Sequence, residues 1–481
     1  MTVRIRTFLV AMTVAGLLAA PVAEFSSIAP GAVAKQRHHA SISAAPRQDD
    51  VNAHHGDDGQ DIGDGDHADS CSVDDSGVEY CSGELIVSLI PGSSIAAVQA
   101  AIAEEDDVTV ELKNTIEGAN LFLLGFSVPN GDAVSERDLI KHLLDVEIND
   151  VRPVRWVELN YVGNAPQGNP SRFFPRDTGK PQAAANGASW GKAKTGATQA
   201  ATCADGRGEI VAVIDTGIDR THPAFAGRLL TGWNAFDGSA TVDDVGNGLN
   251  DDGDFEYGTT TELIDEAVGH GTHVSGIVLQ AAPRATILPI KALDSDGSGQ
   301  AFYLARAIAY ASARHANVIN LSLGSTGNSR AVAEAVQRAQ QLGILVVAAA
   351  GNDGAAGKPE YPAALSGVIA IGATDRNDRP ANFNSTASGI DFVAPGVDIA
   401  SAFPLGGQGV NSRYAVWSGS SMATPWVSGA AADLGSRNST WSASRIVSRL
   451  TATTTPIRGG GVGSGRVNIA AAAACRCRSS A

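Results

Sequence analysis

The sequence is poor in cysteine, in basic side chains and in long apolar runs, and each shortage excludes a class of protein. Five cysteines among 481 residues are too few for a disulfide scaffold, and none has the spacing of a zinc site. The 35 basic residues are outnumbered by 51 acidic ones, and the resulting net charge of −16 would repel a phosphate backbone. Beyond the N-terminal segment, no apolar run is long enough to span a bilayer. Neither nucleic acid nor a membrane is therefore expected as a partner of the mature chain.

The N-terminus has the features of a secretory signal peptide. Two arginines precede the apolar stretch Phe8–Ala20, which is too short to cross a membrane comfortably. Small residues offer cleavage sites after Ala34 or after the nearer Ala23, and the sequence leaves both open. We expect residues 1–34 to be removed and the mature protein to be exported, in the periplasm or outside the cell.

Residues 35–82 are predicted to be a disordered linker rich in Asp and His. The stretch from Asp49 to Asp69 contains eight Asp and no Lys or Arg, and it has too little apolar surface to fold. Five histidines could bind metal, although a solvated tail is the simpler interpretation; they are His38, His39, His54, His55 and His67.

The cysteines allow two pairings, both left open by the sequence. Cys71 with Cys81 would close a short loop, and Cys203 would pair with Cys475 or Cys477 in the tail, residues 475–481.

Residues 83–163 predict a small α+β unit. GELIVSLI, VTVELKNT, LFLLGFSV and VRWVELNYV read as strands, whereas IAAVQAAIAEE and ERDLIKHLLDV have helical periodicity. The order β-α-β-β-α-β is that of the ferredoxin-like split unit. Residues 164–187 lack periodicity and are rich in Pro and Gly, which predicts an exposed connector.

Residues 188–474 predict an α/β fold. Short, nearly continuous apolar runs such as EIVAVIDTG, NVINLSL and GILVVAAAG alternate with helical patterns. Such strands form a parallel sheet covered by helices on both faces, and ligands bind beyond the carboxyl ends of its strands. The chemically active residues should therefore follow directly after the strands.

Three separated motifs provide an acid, a base and a nucleophile. Asp215 follows the strand VAVI in VIDTGID, His270 lies in GHGTHVSG, and Ser421 lies in GSSMATP at the start of a small-residue helix. A serine hydroxyl is a poor nucleophile unless an imidazole accepts its proton, and the imidazole needs a carboxylate to fix its tautomer. Taken singly, Asp215 could instead cap a turn, His270 could be a structural histidine, and Ser421 could cap a helix.

Together and in this order, the three motifs closely resemble those of the subtilisin-like serine peptidases over residues 205–470. The resemblance implies a parallel-sheet α/β fold, peptide-bond hydrolysis through an acyl-enzyme, and the roles of orienting acid for Asp215, general base for His270 and nucleophile for Ser421. It assigns Asn352, in AAAGNDG, as a donor to the oxyanion. It also implies that two backbone edges clamp an extended substrate and that a third segment lines the specificity pocket. The first edge is Ser298, Gly299 and Gln300, the second edge is Ser322, Leu323 and Gly324, and the pocket segment is Ala349, Ala350 and Gly351.

The resemblance extends to the small unit before the peptidase region. Residues 83–163 are similar to the inhibitory propeptide of the same family, which implies an autoprocessed zymogen whose partners are polypeptide substrates and its own propeptide. A monomer is implied, with no cofactor for the chemistry. The rival hypothesis is a catalytically silent scaffold of the same fold that binds protein or metal through the acidic linker. Loss of a catalytic residue would favour that rival, and all three are present.

A loop of carboxylates and amides, DDVGNGLNDDGD, is the candidate for a structural calcium site. Hard oxygen ligands suit calcium, and relatives commonly bind it, but the loop lacks the EF-hand pattern and an exposed acidic loop is the alternative. His270 and His273 lack the Glu of a zincin helix, so catalytic zinc is not expected. The candidate calcium ligands are Asp243, Asp244, Asn247, Asn250, Asp252 and Asp254.

Overall fold

The computed structural model describes residues 71–105, 108–127, 136–165, 176–177, 190–248, 264–354, 357–385 and 389–474. The predicted signal peptide, most of the predicted linker and the tail 475–481 lie outside these ranges. The strands are β1 (Cys71–Val73), β2 (Glu79–Leu89), β3 (Thr109–Ile116), β4 (Leu121–Ser127), β5 (Val154–Asn164), β6 (Arg176–Asp177), β7 (Ile210–Asp215), β8 (Trp233–Asn234), β9 (Thr286–Lys291), β10 (Ser298–Gln300), β11 (Val318–Leu321), β12 (Leu345–Ala349), β13 (Ile369–Thr374), β14 (Phe392–Pro395), β15 (Ile399–Ala402) and β16 (Tyr414–Trp417). The helices are α1 (Ile95–Glu105), α2 (Glu136–Asp145), α3 (Trp190–Thr195), α4 (Ala197–Ala200), α5 (His270–Ala281), α6 (Ala301–Ala313), α7 (Arg330–Gln341), α8 (Ser420–Arg437), α9 (Ala443–Ala452) and α10 (Ile469–Ala473).

The peptidase region is built on a seven-stranded sheet in the order β14-β13-β12-β11-β7-β9-β8, and every pair in it is parallel. Alternate residues of β7 enter opposite cores, as strand geometry requires. Val211 and Val213 pack with α5 and α8, whereas Ala212 and Ile214 pack with α6 and α7. The predicted parallel sheet with helices on both faces is confirmed.

A second, antiparallel sheet in the order β15-β16-β6 lies close to the start of α8. Its middle strand β16 ends at Trp417, three residues before α8 begins at Ser420. Residues 176–177 of the predicted connector form its edge strand, so this part of the connector is paired with the peptidase region.

The N-terminal unit contains the predicted order β-α-β-β-α-β. Its four main strands are antiparallel in the order β5-β2-β4-β3. One face of this sheet buries Leu85, Val87 and Leu89 against α1 and α2. The opposite face contributes Ile86, Leu123 and Trp156 to the core formed with α6 and α7. The unit therefore shares a hydrophobic core with the peptidase region.

The folded N-terminal unit begins earlier than the predicted boundary at residue 83. Residues assigned to the linker form β1 and the first part of β2, which pair antiparallel around a turn at Asp74–Gly77. The Asp74 carboxylate accepts backbone hydrogen bonds from Ser76 and Val78, and this local turn chemistry orders a segment whose composition alone predicted disorder.

The cysteines in the described part of the chain are in two states. Cys71 lies directly opposite Cys81 in the ladder, and both thiols are free. Cys203 takes part in a disulfide bond. Cys475 and Cys477, the partners predicted for it, lie outside the described residues. In the described ranges, no helix combines the length and apolar character needed to cross a membrane.

Candidate active site

Asp215 and His270 form a buried pair at the carboxyl edge of the central sheet. Asp215 is the last residue of β7 and His270 is the first residue of α5. The two atoms His270 Nδ1 and Asp215 Oδ1 are 2.7 Å apart, and the two residues are 2% and 0% exposed. The backbone N–H of Thr216 also donates to Asp215 Oδ1, at 2.8 Å. This geometry fixes the imidazole with Nδ1 toward the carboxylate and leaves Nε2 for chemistry.

Two glycines let the start of α5 approach β7 closely. Gly269 has φ of +92°, which a residue with a side chain rarely adopts. A Cβ on Gly271 would lie 3.0 Å from the backbone nitrogen of Gly217 and would also overlap the Gly217 carbonyl oxygen. The glycines of GHGTHVSG therefore bring His270 within hydrogen-bonding distance of Asp215.

Asp244 anchors the N-terminus of α5. Its side chain is buried, and Oδ1 accepts hydrogen bonds from the Gly269 N–H at 2.9 Å and from Thr216 Oγ1 at 3.0 Å. Its Oδ2 accepts from the Thr272 N–H at 3.0 Å and from Thr272 Oγ1 at 2.5 Å. A carboxylate at this end satisfies otherwise unpaired helix N–H groups and opposes the positive end of the helix dipole. Sequence reasoning missed this role for Asp244.

The predicted calcium ligands are therefore not brought together in the described residues. Both carboxylate oxygens of Asp244 are occupied by donors, and the Asp243 carboxylate pairs with the Arg220 guanidinium at 2.9 Å. The backbone N–H of Asn247 donates to Asp265, at 2.8 Å. Asn250, Asp252 and Asp254 lie outside the described residues. Asp243 and Asp244 thus do not fit a calcium site, because one is ion-paired and the other caps a helix.

Ser421 is the second residue of α8, the long helix that packs against strands β11–β14 of the parallel sheet. Its hydroxyl donates to the carbonyl oxygen of Ser322 at 3.3 Å, while Ser322 Oγ donates to the Ser421 carbonyl oxygen at 2.9 Å. Asn320 links the same helix to β11, since it donates to Ser322 Oγ and accepts from Ser428 Oγ. These buried contacts fix Ser421 relative to the strand that carries the predicted substrate edge.

Asn352 lies beside the start of α8, just beyond the end of β12. Its side-chain oxygen accepts the Ser420 N–H at 2.9 Å, and the residue is 5% exposed. This bond orients the amide, because the oxygen faces the backbone of α8 and the NH2 group must face the other way. Ala349, Ala350 and Gly351, the predicted pocket wall, lead directly to Asn352 and are buried.

Trp417 is a residue of the site that sequence reasoning did not identify. Its ring meets His270 edge-on at 5.3 Å and His273 at 5.9 Å. His273 donates through Nε2 to the carbonyl of Ile399, and burial lowers its pKa to about 3. His273 is therefore a neutral structural histidine next to the site.

A strand of the chain itself lies between the two predicted substrate edges. Val162, Gly163 and Asn164 of β5 pair antiparallel with β10, which consists of the predicted Ser298, Gly299 and Gln300. On the other side, Asn164 and Gly324 exchange both backbone hydrogen bonds, at 2.8 and 2.9 Å. The groove between Ser298–Gln300 and Ser322–Gly324 is therefore occupied by the end of the N-terminal unit.

Two side chains of the same strand cap helices of the peptidase region. Glu158 accepts hydrogen bonds from the Arg330 N–H and the Ala331 N–H at the start of α7, and burial raises the pKa of its carboxyl group. Asn160 accepts from the Phe302 N–H at the start of α6. These caps add directional contacts to the β pairing.

Sequence comparison identifies the family. The sequence model of the Subtilase family (Peptidase_S8) matches residues 206–468, more than half of the chain. The chain belongs to the subtilase family. This subtilase is 38% identical over 291 residues to thermitase of Thermoactinomyces vulgaris, an alignment that covers 58% of this chain and 93% of thermitase. It is 34% identical over 381 residues to an alkaline protease of Alkalihalobacillus alcalophilus, with 74% and 92% covered.

A solved structure resembles the subtilase beyond the family region. Fervidolysin from Fervidobacterium pennivorans, described as a keratinolytic enzyme related to subtilisin, superposes with a TM-score of 0.64 at 25% identity. The match covers 85% of this chain and 63% of the fervidolysin chain. The subtilase is accordingly a serine endopeptidase, a hydrolase that acts on peptide bonds.

Proposed function

We propose that this subtilase is the zymogen of an exported endopeptidase that cuts extended polypeptides with Asp215, His270 and Ser421. In the first step His270 Nε2 takes the proton of Ser421 Oγ as that oxygen attacks the substrate carbonyl carbon. The Asn352 NH2 group and the Ser421 N–H at the start of α8 stabilise the oxyanion. His270 then protonates the leaving amine, and water releases the acyl group by the reverse steps.

The observation that carries this proposal is the pairing of β5 with both edges of the groove. An extended peptide added between two strands is bound through its main chain, which suits an enzyme acting on polypeptides. The chain here supplies that peptide itself, at Val162–Asn164. Asn164 pairs with Gly324, two residues beyond Ser322, whose carbonyl oxygen accepts a hydrogen bond from Ser421 Oγ. The signal peptide 1–34 directs export of a monomer and is then removed. Residues 71–165 act as an intramolecular inhibitor of the exported chain.

Self-processing follows because a tethered segment has an effective concentration far above that of a free substrate. The full chain should be cut between residues 166 and 189 at a rate that does not change with protein concentration. Ser421→Ala should remain uncut, and Ser420→Ala is the matched control because it also removes a hydroxyl from the first turn of α8 but leaves the nucleophile.

Labelling provides a test that does not depend on processing. A fluorophosphonate should modify Ser421 of the mature enzyme stoichiometrically, and His270→Ala should slow the labelling by orders of magnitude because the hydroxyl loses its base. A Ser421→Ala chain that matures to the parental mass when purified without other proteases would refute the assignment.

A further inference from the structure

The carboxyl group of Glu360 lies between two backbone segments of the predicted substrate site. One wall of this slot is Ser322–Gly324, and the other is Ala349–Gly351. A Cβ on Gly324 would overlap Oε2 of Glu360, and a Cβ on Gly351 would overlap Oε1. Its Cδ atom would be 2.9 Å from the first of these positions and 2.8 Å from the second. The Glu360 side chain therefore reaches into the slot because both walls have glycine at this level.

The backbone around Glu360 holds the side chain in this slot. The Glu360 N–H donates to the Ala350 carbonyl at 3.1 Å, which joins it to one wall. The next residue, Tyr361, exchanges two backbone hydrogen bonds with Ser325 on the other wall, both at 2.8 Å. With its main chain fixed to both sides, the Glu360 side chain has little choice of direction.

A second carboxylate lies beside the first. Burial and the neighbouring Asp353 raise the pKa of Glu360 to about 8, and its carboxyl group interacts with the Asp353 side chain and with the Asn352 backbone N–H. Among the residues that the structure describes, neither Glu360 nor Asp353 has an ion pair with Lys or Arg. Glu360 is half-buried and Asp353 beside it is exposed. Two neighbouring acids without a cationic partner favour a positively charged occupant.

Asn352 locates the slot with respect to the reaction. Gly351 directly precedes this proposed oxyanion donor, and Gly324 is two residues beyond Ser322, whose carbonyl contacts Ser421 Oγ. The substrate side chain next to the attacked carbonyl is therefore the one that enters between Gly324 and Gly351. A long cationic side chain would place its charge at the Glu360 carboxylate.

We propose that Glu360, assisted by Asp353, makes this enzyme select Lys or Arg on the amino side of the cleaved bond. The inference rests on the proposed function, since it requires the substrate to follow the path of β5 toward Ser421. The pairing of an ammonium or guanidinium group with a carboxylate in a partly dehydrated slot is a strong, charge-assisted contact.

The test compares peptides that differ only at this residue, with Lys, Arg, norleucine, Phe or Ala, on the mature enzyme. Norleucine is the key comparison because it has nearly the length of Lys without the charge. At about pH 9, where Glu360 is ionised, Glu360→Gln should reduce kcat/KM for the Lys peptide by roughly tenfold to a hundredfold. The value for norleucine should change by less than about threefold, and Glu360→Asp should retain part of the Lys preference.

Asp375→Asn serves as the control for net charge, because that carboxylate accepts hydrogen bonds from Asn377 and Arg379 in a surface turn. It should leave the ratio of Lys to norleucine unchanged. Equal losses on all peptides in Glu360→Gln would overturn the proposal and make Glu360 a structural residue. A parental enzyme that prefers Ala or norleucine to Lys would also overturn it, since Glu360 would then only fill the slot.

Fluorophosphonate labelling separates this inference from the function on which it rests. If Ser421 is labelled and the Lys preference is absent, the specificity assignment alone fails. If Ser421 is not labelled, the proposed function fails first.

Discussion

Replacing Asp244 by Asn tests whether the helix that carries His270 depends on a buried anion. The carboxylate accepts four hydrogen bonds, two of them from the backbone N–H groups of Gly269 and Thr272. An Asn side chain has one acceptor oxygen, so its NH2 group must face at least one fixed backbone donor. Thr216 and Thr272 can rotate their hydroxyl groups away, but a backbone N–H cannot.

The structure allows the cost to be estimated. One buried donor left unpaired costs about 1–3 kcal/mol, and the lost charge at the helix N-terminus adds up to about 2 kcal/mol. We expect Asp244→Asn to lower the free energy of unfolding by about 1–5 kcal/mol, which for a chain of this size lowers the melting temperature by roughly 1–6 °C. The measurement uses the full chain with Ser421→Ala, which prevents self-digestion during heating.

Asp243→Asn is the matched control, because this neighbouring carboxylate forms a half-exposed pair with Arg220. Its loss should cost no more than about 1 kcal/mol. A melting temperature for Asp244→Asn that is no lower than that of Asp243→Asn would refute the anchoring role. If a chelator destabilised the parent but not Asp244→Asn, Asp244 would be a metal ligand and our assignment of its oxygens would be wrong.

Three further predictions concern Asn352, Glu360 and Asp433. Asn352→Ala should lower kcat about 100- to 1,000-fold, the size of the effect known for an oxyanion donor of subtilisin, and an unchanged kcat would remove Asn352 from the proposed oxyanion site. The kcat/KM ratio of Lys to norleucine peptides should rise from about pH 6 to about pH 9, because Glu360 has a pKa of about 8 and only its ionised form pairs with an ammonium group; a flat ratio would contradict this. Burial, and secondarily Asp205, raises the pKa of Asp433 from 3.8 to about 9. The unfolded chain therefore releases this proton at a lower pH than the native chain does, and the free energy of unfolding falls as the pH rises between these two pKa values. Asp433→Asn should thus raise the melting temperature by several degrees at about pH 8 and leave it nearly unchanged at about pH 4, as differential scanning calorimetry would detect.

The sequence predicted the elements whose pattern comes from burial. Strands such as β7 and β12 are covered on both faces, so they appear as continuous apolar runs, and α7 has a clear apolar stripe. The strands β14–β16 are also apolar and largely buried, but at four residues each they are too short to stand out in the sequence, and the two-residue strand β8 is defined only by its pairing with β9, some fifty residues later. Local periodicity carries no information about such long-range partners.

The site shows the same division between local and long-range information. Asp215, His270 and Ser421 lie in short motifs whose glycines and flanking helices are visible in the sequence. Asp244 and Glu360 lie in loops that have no recognisable motif. Only the folded path of the chain brings Asp244 to a helix N-terminus and places Glu360 between two backbone walls. The acidic loop Asp243–Asp254 predicts a cation site from its composition, and the helix cap formed by Asp244 has no signal of its own in the sequence.

The sheet formed by β5 and β10 has a consequence for the timing of activity. A cut after residue 165 would leave every contact of residues 71–165 with the groove and with α6 and α7 in place. The cut removes only the covalent connection between residues 71–165 and the peptidase region. That connection had kept residues 71–165 at an effective concentration on the order of millimolar near the groove. If residues 71–165 are the inhibitor proposed above, a concentrated preparation should remain inactive, whereas a dilute one should lose residues 71–165 by dissociation and become active. Since the first liberated molecules can digest the inhibitors of their neighbours, activity should appear after a lag and then accelerate.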